Sequence, residues 1–400
     1  MRDSSWSLTA RWVFPVSKPP LERGVVVIEG ERIVAVEPSS SHTPDLDLGN
    51  VAILPGFVNA HTHLDLTGMR GLAPPSPDFT GWLRQVIAHR RQRSAEQVRT
   101  DIQAGIAECV RSGVTLLGDI SGDGGSWDEL TAAPLRAVVF REMLGLPKDR
   151  ASKSWADTAG WRATHPSSST CRPGLSPHAP YSVRSSLFLA ASTAGLPFAV
   201  HLAESRAEME LLGHHLHRRG PFVPFLRDLG VWVPDGIAEN VKHVLGLCNS
   251  LSPFLIIHGN YLQPDVPIPR NASLVYCPRT HAAFSHPPHP FRAFLARGVR
   301  VALGTDSLAS NPDLDLLAEA RFIHQRYPEF CPATLLRMAT LSGAEALGWD
   351  DETGSLNAGK SADLAVLPLP AREAMDPHQL LFDSDRRVSQ VFCRGRTVFP

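Results

Sequence analysis

Short apolar runs alternate with longer segments of helical periodicity along most of this chain. The first run ends at Leu54-Pro55-Gly56, and seven more of strand length follow it: 113–120, 134–144, 172–182, 197–205, 254–262, 272–281 and 299–307. Segments with the spacing of amphipathic helices separate most of these runs, such as 82–112, 183–194 and 206–219. Strands that alternate with helices predict βα units and a parallel sheet. Eight such units predict an α/β fold of the (β/α)8, or TIM-type, barrel class.

Both ends of the chain differ in texture from the middle. Residues 24–39 have the pattern of two Val-rich strands around a glycine turn, and residues 362–370 and 388–400 repeat that style. We expect the two ends to fold together as a small composite β-sandwich outside the barrel. The predicted domains are the first part of the sandwich, residues 1–54, the barrel, residues 55–354, and the second part of the sandwich, residues 355–400.

The connection between the fifth and sixth predicted barrel strands, residues 206–253, is long for one βα unit. It holds a helix, the segment GPFVPFLRDLG and a second helical pattern. Long insertions at the carboxyl ends of barrel strands often carry lids and substrate pockets. A surface insertion without a role in binding accounts equally well for the pattern, so the sequence leaves both interpretations open.

Composition and charge exclude several classes of protein. The chain has 400 residues, 43% of them hydrophobic, and a formal net charge of −1 at pH 7. No basic block is long enough to bind a nucleic-acid backbone and no apolar run reaches membrane-span length, so we expect neither nucleic acid nor membrane as a partner. Residues 1–5 lead into no long apolar core and predict no signal peptide. The six cysteines form no CxxC motif and are expected to be reduced. These features predict a cytoplasmic protein and leave a homodimer open.

Histidines and acidic residues occupy the carboxyl ends of the predicted barrel strands. The first strand leads into GFVNAHTHLDLTG, where His61 and His63 flank one residue and project together if the stretch is extended. An isolated His-x-His is more often a pair of loop residues facing solvent, so the pair needs partners elsewhere. The carboxyl ends of the parallel strands all lie around the same opening of the barrel, which we call the mouth. The other polar residues at such ends are His178, His201, Glu204, His258 and Asp306.

Three imidazoles and one carboxylate from this set suit a divalent transition metal. We expect His61, His63, His201 and Asp306 to bind zinc, with Fe²⁺ as the alternative. A metal of this kind lowers the pKa of a bound water from about 15.7 to about 7, which makes hydroxide available at neutral pH. The fourth strand run contains no lysine that could bridge a second metal, so we expect a single ion.

Two further residues of the set suit proton transfer rather than metal binding. Glu204 lies three residues after His201, near enough to share the site without binding the ion, and is the predicted proton shuttle. His258 is predicted to act as a further base or to hold the water by a hydrogen bond. Together with Asp306, these two are the predicted catalytic residues.

Six stretches, in order along the chain, resemble the amidohydrolase superfamily and in particular its metal-dependent aminohydrolase, or deaminase, branch. They are LPGFVNAHTHLDLTG, SPHAPYSV, VHLAES, IIHGNYL, LGTDSLASNPDLDLL and GSLNAGKSADLAVL, between residues 54 and 367. The resemblance implies a metal-binding barrel with a composite β-sandwich. It also implies roles for the residues already singled out: metal ligands for His61, His63, His201 and Asp306, an acid/base pair for Glu204 and His258, and a substrate contact for His178.

Within this branch the chain most resembles deaminases of adenosine-like compounds, which include S-adenosylhomocysteine and methylthioadenosine deaminases and aminodeoxyfutalosine deaminases. It departs from the first kind at CPRTHAAFSH, residues 277–286, where an NP.SN pattern is usual, and at TDSLASN in place of TDG.ASN. Both departures look more like aminodeoxyfutalosine deaminases.

The resemblance therefore implies hydrolytic deamination of a 6-aminopurine nucleoside by attack of metal-bound hydroxide on C6, with release of ammonia. The first expected substrate is 6-amino-6-deoxyfutalosine, of menaquinone biosynthesis. Deamination of adenosine, methylthioadenosine or S-adenosylhomocysteine stays open, as does hydrolysis of guanine, cytosine or a chlorotriazine on the same scaffold. A non-catalytic metal-binding scaffold is disfavoured, because every expected ligand and both proton-transfer residues are present.

The first expected substrate carries a benzoate, and a guanidinium binds such a carboxylate in bidentate fashion. Arg141, Arg184, Arg206 and Arg279 all lie at or just past predicted strand ends. Any one of them alone is more often a surface residue, but as a set they favour an anionic substrate. We predict Arg141 and Arg279 as substrate-binding residues, together with His178.

Overall fold

The computed structural model describes residues 5–38, 43–213 and 216–400. Its strands, in chain order, are β1 (Trp6–Thr9), β2 (Trp12–Val13), β3 (Leu21–Glu22), β4 (Val25–Glu29), β5 (Arg32–Glu37), β6 (Leu46–Asp47), β7 (Val51–Pro55), β8 (Phe57–Thr62), β9 (Val114–Ser121), β10 (Arg136–Met143), β11 (Cys171–Pro177), β12 (Phe198–Leu202), β13 (Phe254–His258), β14 (Ala272–Tyr276), β15 (Arg300–Leu303), β16 (Leu364–Pro368), β17 (Gln390–Cys393) and β18 (Arg396–Phe399).

Its α-helices, in the same order, are α1 (Phe79–Gln92), α2 (Ala95–Arg111), α3 (Trp127–Ala132), α4 (Lys148–Thr164), α5 (Ser185–Ser192), α6 (Arg206–Leu212), α7 (Phe222–Asp228), α8 (Val241–Leu247), α9 (Pro278–Ala283), α10 (Phe291–Ala296), α11 (Leu316–Arg326), α12 (Pro332–Met338), α13 (Leu341–Leu347) and α14 (Gln379–Phe382). None of the helices in the described ranges is both long enough and apolar enough to cross a bilayer. Four predictions touch residues outside the described ranges. They are the absence of a signal peptide, at residues 1–4, the strand pair over 24–39, at residue 39, the first domain, 1–54, at residues 1–4 and 39–42, and the helix over 206–219, at residues 214–215.

Eight parallel strands, β8 to β15, form the barrel, and each pairs with its neighbours in chain order. The first and last of them meet through a parallel bridge between Thr62 and Asp306. Beside this bridge, the backbone amides of Thr305 and Asp306 both donate to the carbonyl oxygen of His61 at 3.1 Å. These contacts bring the open edges of the sheet together, so the predicted (β/α)8 fold is confirmed.

The interior of the barrel is filled by small and branched apolar side chains. Alternate residues of a strand point to opposite faces, and Val138 and Phe140 of β10 belong to the interior cluster, as do Leu255 and Ile257 of β13. The intervening residues of these strands pack outward against the helical layer. This alternation determines which polar residue at the end of a strand reaches the mouth of the barrel.

The single helical pattern over 82–112 is two helices in the structure. Helix α2 begins after Ser94, whose hydroxyl accepts a hydrogen bond from the amide of Gln97 at 3.2 Å. The Gln97 side chain accepts from the Ser94 amide at 2.8 Å in return. This reciprocal capping satisfies two amides that would otherwise have no partner at the start of α2, and it ends the continuity with α1.

Two sheets built from both chain ends lie outside the barrel. One has the order β5-β4-β1-β6 and the other the order β18-β17-β16-β7-β2-β3. In the second sheet β7, from the N-terminal end, pairs antiparallel with β16, from the C-terminal end, with Pro55 opposite Leu364. The two sheets share a buried apolar cluster that includes Val26, Ile53 and Val366. The composite β-sandwich is therefore confirmed, whereas its precise domain bounds stay predictions.

Candidate active site

His61 and His63 end the first barrel strand and point at the same place. The pairing of β8 with β9 shifts register between Asn59 and Thr62, and such an irregularity re-aims the side chains that follow it. The two imidazole rings lie 4.9 Å apart, centroid to centroid. Their Nε2 atoms are 3.3 Å and 3.6 Å from Oδ1 of Asp306. The expected convergence of the His-x-His pair is therefore present.

His201, on β12, completes a group of three imidazoles. Its Nε2 lies 3.3 Å from Nε2 of His63. Its Nδ1 lies 3.2 Å from the carbonyl oxygen of His178, a distance at which Nδ1–H donates to that oxygen. A proton held there leaves Nε2 unprotonated toward the centre of the group, as a metal-binding imidazole requires.

Asp306 brings a carboxylate to the same point from the end of β15. Its Oδ2 accepts a hydrogen bond from the hydroxyl of Ser310 at 2.7 Å, which orients Oδ1 toward the imidazoles. Burial by itself would raise the pKa of Asp306, but the neighbouring His61, His258 and His63 rings lower it below its ordinary value. Asp306 is therefore ionised at neutral pH.

The chemistry of these four residues fits a divalent metal ion. Within the described residues, both ring nitrogens of His61 and Nδ1 of His63 are buried without a hydrogen-bond partner. Burial, as the largest cause, holds the pKa values of His63 and His201 well below their ordinary range, so these rings are neutral, which is the form that binds metals. Buried imidazole nitrogens without protein partners, facing an ionised carboxylate, are a ligand set for zinc or Fe²⁺.

Glu204 and His258 lie beside this group and face each other. His258 Nε2 is 3.4 Å from Glu204 Oε1, and both side chains are buried. Burial raises the pKa of Glu204 well above its ordinary value, and the charges of Asp306 and Glu208 add to that effect. Burial also lowers the pKa of His258 to about 3. The pair thus joins a carboxyl whose protonated form is favoured by burial to a neutral imidazole. The ring nitrogens of His258 also lie near those of His61 and His201, within the spacing of a metal-ligand group.

The backbone is in the left-handed region at three residues of this site, none of them glycine. Ala203, His258 and Asp306 have φ values of 54°, 67° and 61°, and each such residue costs of order 1–3 kcal/mol. Leu255 and Ile257 point into the barrel, so an extended backbone would turn His258 outward; the positive φ brings its ring to the mouth instead. His289 supports this turn by donating from Nε2 to the His258 carbonyl oxygen at 2.8 Å.

Glu208 holds the loop that carries Glu204. Its fully buried carboxylate accepts from the backbone amides of Ala203 and Glu204 at 2.8 Å and 2.9 Å. Burial raises its pKa to about 7. Glu208 was not predicted from the sequence, although Ser205 and Glu208 in HLAESRAEME have the S-x-x-E spacing that is typical of the start of a helix.

A cavity of about 420 Å³ opens from the metal-ligand group to the surface. Glu204, His258 and Asp306 lie at its closed end. Its walls are mostly apolar and come from α1 and from the insertion that contains α7; they include Trp82, Val86, Ile87, Phe225, Leu226 and Leu229. The insertion between β12 and β13 therefore contributes to the pocket, which decides between the two interpretations that the sequence left open.

The two arginines predicted to bind substrate do not reach this cavity in the structure. Arg141 lies between Phe140 and Glu142, so its side chain points outward, where Nη1 donates to the hydroxyl of Thr158 on α4 at 3.0 Å. Arg279 forms ion pairs with Asp313 and Glu319, both at 2.6 Å. The expectation of a direct substrate contact from either side chain is wrong in this geometry, because both guanidinium groups are engaged elsewhere.

Other arginines line the cavity instead. Arg90 and Arg91 come from α1, and Arg150 comes from α4. These helical residues were not predicted, because the candidates were taken only from the ends of strands. Of the other two candidates, Arg184 donates from Nε to the Leu146 carbonyl oxygen at 3.0 Å, and Arg206 lies 3.4 Å from Glu210. His178 does line the cavity, and its contact with substrate stays a prediction.

Comparison with known proteins places this geometry in context. The sequence matches the Amidohydrolase family over residues 52–398. It is 29% identical to a 5-methylthioadenosine/S-adenosylhomocysteine deaminase of Moorella thermoacetica over 92% of this chain and 86% of the relative. Identity to the protein of the same name from Syntrophobacter fumaroxidans is 31% over 86% and 80% of the two chains.

Solved structures share the fold. The Helicobacter pylori aminofutalosine deaminase in complex with methylthio-coformycin superimposes with a TM-score of 0.85 at 24% identity, covering 98% of this chain and 100% of that one. An adenosine deaminase from Xanthomonas campestris with bound zinc gives a TM-score of 0.80 at 24% identity, covering 98% and 92%. The sequence match, the barrel with its sandwich and the histidine–aspartate cluster agree, and the chain belongs to the amidohydrolase family as a hydrolytic aminohydrolase.

Proposed function

We propose that the protein deaminates a 6-aminopurine nucleoside by hydrolysis, with 6-amino-6-deoxyfutalosine as its first substrate. The observation that carries this proposal is the pairing of Glu204 with His258 beside the imidazoles and Asp306, at the closed end of a largely apolar cavity. Replacing a ring amino group by oxygen needs an activated water and a proton donor near the same ring atom. The site holds residues suited to both tasks.

A single divalent ion supplies Lewis-acid activation of the water when it is bound. His61, His63, His201 and Asp306 would hold it, and we propose zinc, with Fe²⁺ as the alternative, because imidazole and carboxylate ligands suit both. The zinc-bound adenosine deaminase among the structural neighbours supports this choice.

Glu204 and His258 would move the protons. Burial raises the pKa of Glu204 and so favours its protonated form, in which it can protonate N1 of the purine while the neutral ring of His258 accepts a proton from the water. The water oxygen forms a bond to C6, and the C6–N bond then breaks. N1 keeps the proton from Glu204. The proton held by His258 and the remaining hydroxyl proton pass to the departing ammonia and to Glu204 as the C6=O bond forms, so both side chains return to their starting states.

The shape of the cavity supports a substrate with an apolar group between the purine and an anion. The walls from α1 and α7 are apolar, and Arg91 and Arg150 are exposed at the opening. A benzoate could place its ring against these walls and its carboxylate beside the two guanidinium groups. A role in menaquinone biosynthesis, in the cytoplasm, is part of this proposal.

Deamination of methylthioadenosine or S-adenosylhomocysteine is the second candidate. It is favoured by the names of the relatives, which share 29% and 31% of their aligned residues with this chain over most of its length. Both candidates use the same residues at the closed end of the cavity and differ only in what occupies its opening.

Ammonia release separates the candidates. The zinc-loaded and iron-loaded protein would be assayed with 6-amino-6-deoxyfutalosine, S-adenosylhomocysteine, methylthioadenosine and adenosine. Guanine and cytosine serve as controls in the same assay, and a chlorotriazine serves as a control followed by chloride release. We expect the highest kcat/KM for 6-amino-6-deoxyfutalosine. A higher value for methylthioadenosine or S-adenosylhomocysteine would replace the first substrate by the second, and no ammonia from any purine nucleoside would refute the proposed function.

A further inference from the structure

One acidic side chain in the wall of the cavity has no task in the reaction described above. Glu142 is on β10, where Val138 and Phe140 belong to the interior cluster, so the alternation of the strand places Glu142 on the same inward face. Its side chain is 2% exposed, and it lines the cavity. A carboxylate this deep in an apolar wall needs hydrogen-bond donors.

Only one of its two oxygens has such a donor among the described residues. Oε2 accepts a hydrogen bond from Nη1 of Arg90 at 3.1 Å, whereas Oε1 is buried without a partner. Nε2 of His178 lies 3.8 Å from Oε1, which is beyond hydrogen-bond distance. Buried polar atoms are almost always paired, so an unpaired oxygen on a residue that lines a cavity points to a donor on the ligand.

The position of Glu142 indicates which part of a ligand it meets. His178 connects it to the closed end, because the His178 and His201 rings lie 4.8 Å apart. Leu144, two residues further along, is exposed and also lines the cavity. Glu142 therefore lies between the reacting end of the cavity and its opening, where the sugar of a nucleoside would follow its purine.

The charges around Glu142 select a neutral donor. Arg90 lies 3.2 Å from Asp65 as well as bonding Glu142, and Arg93 lies 3.7 Å from Asp65, so Arg90 is the guanidinium group that contacts Glu142 while Asp65 has two cationic neighbours. A cationic group on the ligand would meet Arg90, and an anionic group would meet Glu142 and Asp65. A hydroxyl avoids both repulsions and still donates to Oε1.

We propose that Glu142 accepts a hydrogen bond from a ribose hydroxyl of the substrate and makes the enzyme selective for ribosides. Arg90 is the positioning residue that holds the carboxylate in place. The inference rests on the proposed deamination of a purine nucleoside, and it names the sugar diol as the group that this wall of the cavity recognises.

The test compares substrates with and without the diol. The kcat/KM of the metal-loaded wild-type protein would be measured for adenosine and for 2′,3′-dideoxyadenosine, followed by the Glu142→Gln and Glu142→Ala variants. A hydrogen bond to a charged acceptor predicts that adenosine is preferred by on the order of 10- to 100-fold in the wild type. Glu142→Ala should lose most of that preference, because its kcat/KM should fall for adenosine and stay unchanged for 2′,3′-dideoxyadenosine.

Two controls separate recognition from folding. Glu142→Gln keeps the shape of the side chain and one acceptor, so it guards against a Glu142→Ala protein that does not fold; it should show a reduced preference with an unchanged melting temperature. Arg141→Met changes the outward-facing neighbour on the same strand, which contacts Thr158, and should keep the wild-type preference.

The outcomes are distinct from those of the proposed function. Equal turnover of adenosine and 2′,3′-dideoxyadenosine by the wild type would overturn the inference and leave deamination intact. Equal losses on both substrates in the Glu142 variants would do the same, because they indicate a structural role. No ammonia from either substrate or from the other purine nucleosides would refute the proposed function on which the inference rests.

Discussion

At the scale of single residues, the burial of each polar side chain at the mouth and the group that it faces determine what it can do. The rings of His63 and His201 are buried and face Asp306 or each other, not solvent. Their neutral state leaves lone pairs available for a metal ion. Burial raises the pKa of Glu204, which suits this side chain to proton transfer and not to metal binding. Metal binding and proton transfer can therefore be separated by mutation.

Removal of one imidazole should remove the metal. We expect His61→Ala and His201→Ala to lose bound metal and activity together, because each deletes a ligand from a set of four. Elemental analysis of the purified variants measures this, with His165→Ala, a histidine that contacts Trp161 outside the site, as the matched control. Full metal occupancy in both ligand variants would contradict the assignment.

Replacement of the proton donor should leave the metal in place. Glu204→Gln keeps the size of the side chain but carries no transferable proton, so turnover should fall by about 10²–10⁴-fold while the metal content is unchanged. Steady-state rates and elemental analysis on the same preparation check this. A rate within a few-fold of the wild type would show that Glu204 is not the proton donor.

The candidate ligands were predictable from sequence because each follows an apolar strand and carries a characteristic side chain. The direction of a residue inside a strand was harder to predict. Arg141 and Glu142 are adjacent, yet one contacts Thr158 on α4 and the other lines the cavity. Neighbouring residues of a strand point to opposite faces of the sheet, so an error of one position places a side chain on the wrong face. The choice of Arg141 as a substrate contact was wrong for that reason.

At the scale of elements, the pocket is built by a helix and an insertion that no strand-end pattern reveals. Helix α1 packs across the mouth against α7, with Phe79 and Phe222 6.3 Å apart and Arg84 ion-paired to Asp228 at 2.6 Å. The periodicity of residues 82–112 predicted the helix at α1, whereas the segment GPFVPFLRDLG, which forms α7, was given no predicted structure, and the sequence did not indicate that the two would meet over the site. Such contacts join segments far apart in sequence, and a pattern within one helix cannot specify its partner.

The α7 wall should select for the apolar substituent of the substrate. Leu229 follows α7, is half-buried and lines the cavity. Leu229→Asn should lower kcat/KM about tenfold for substrates with an apolar group at the opening, because it removes part of the burial that a leucine provides. Adenosine should be affected much less.

The control for this prediction is Arg227→Asn, an exposed residue on the same helix that does not line the cavity. Kinetics with adenosine and methylthioadenosine would be compared for the two variants. A similar loss on both substrates in Leu229→Asn would indicate that the wall supports the fold and does not select the substituent.

At the scale of the whole molecule, the sandwich and the barrel are joined at the end opposite to the active site. Arg136 begins β10 and is buried against Asp363, which immediately precedes β16. The similar Val-rich strand patterns at the two chain ends were enough to predict that the two ends fold together. The arginine that connects them to the barrel was not predictable, because its partner lies 227 positions away.

Loss of this contact should reduce stability without changing chemistry. Arg136→Met leaves the buried carboxylate of Asp363 without its cation, and breaking a buried ion pair costs about 3–5 kcal/mol. We expect a lower melting temperature in thermal unfolding, with kcat/KM of the folded protein close to that of the wild type. A large drop in kcat/KM at full folding would show that the two ends of the barrel are coupled.

The closure of the barrel also sets an order for folding. Thr62 bonds the Asp306 carbonyl oxygen across 244 positions of sequence, and His61 accepts the amides that join the last strand to the first. Contacts between such distant segments carry a larger loop-closure cost in entropy than contacts between neighbouring strands. A chain still emerging during synthesis therefore carries His61 and His63 long before Asp306 exists, so the complete ligand set becomes available only when the final seam has formed.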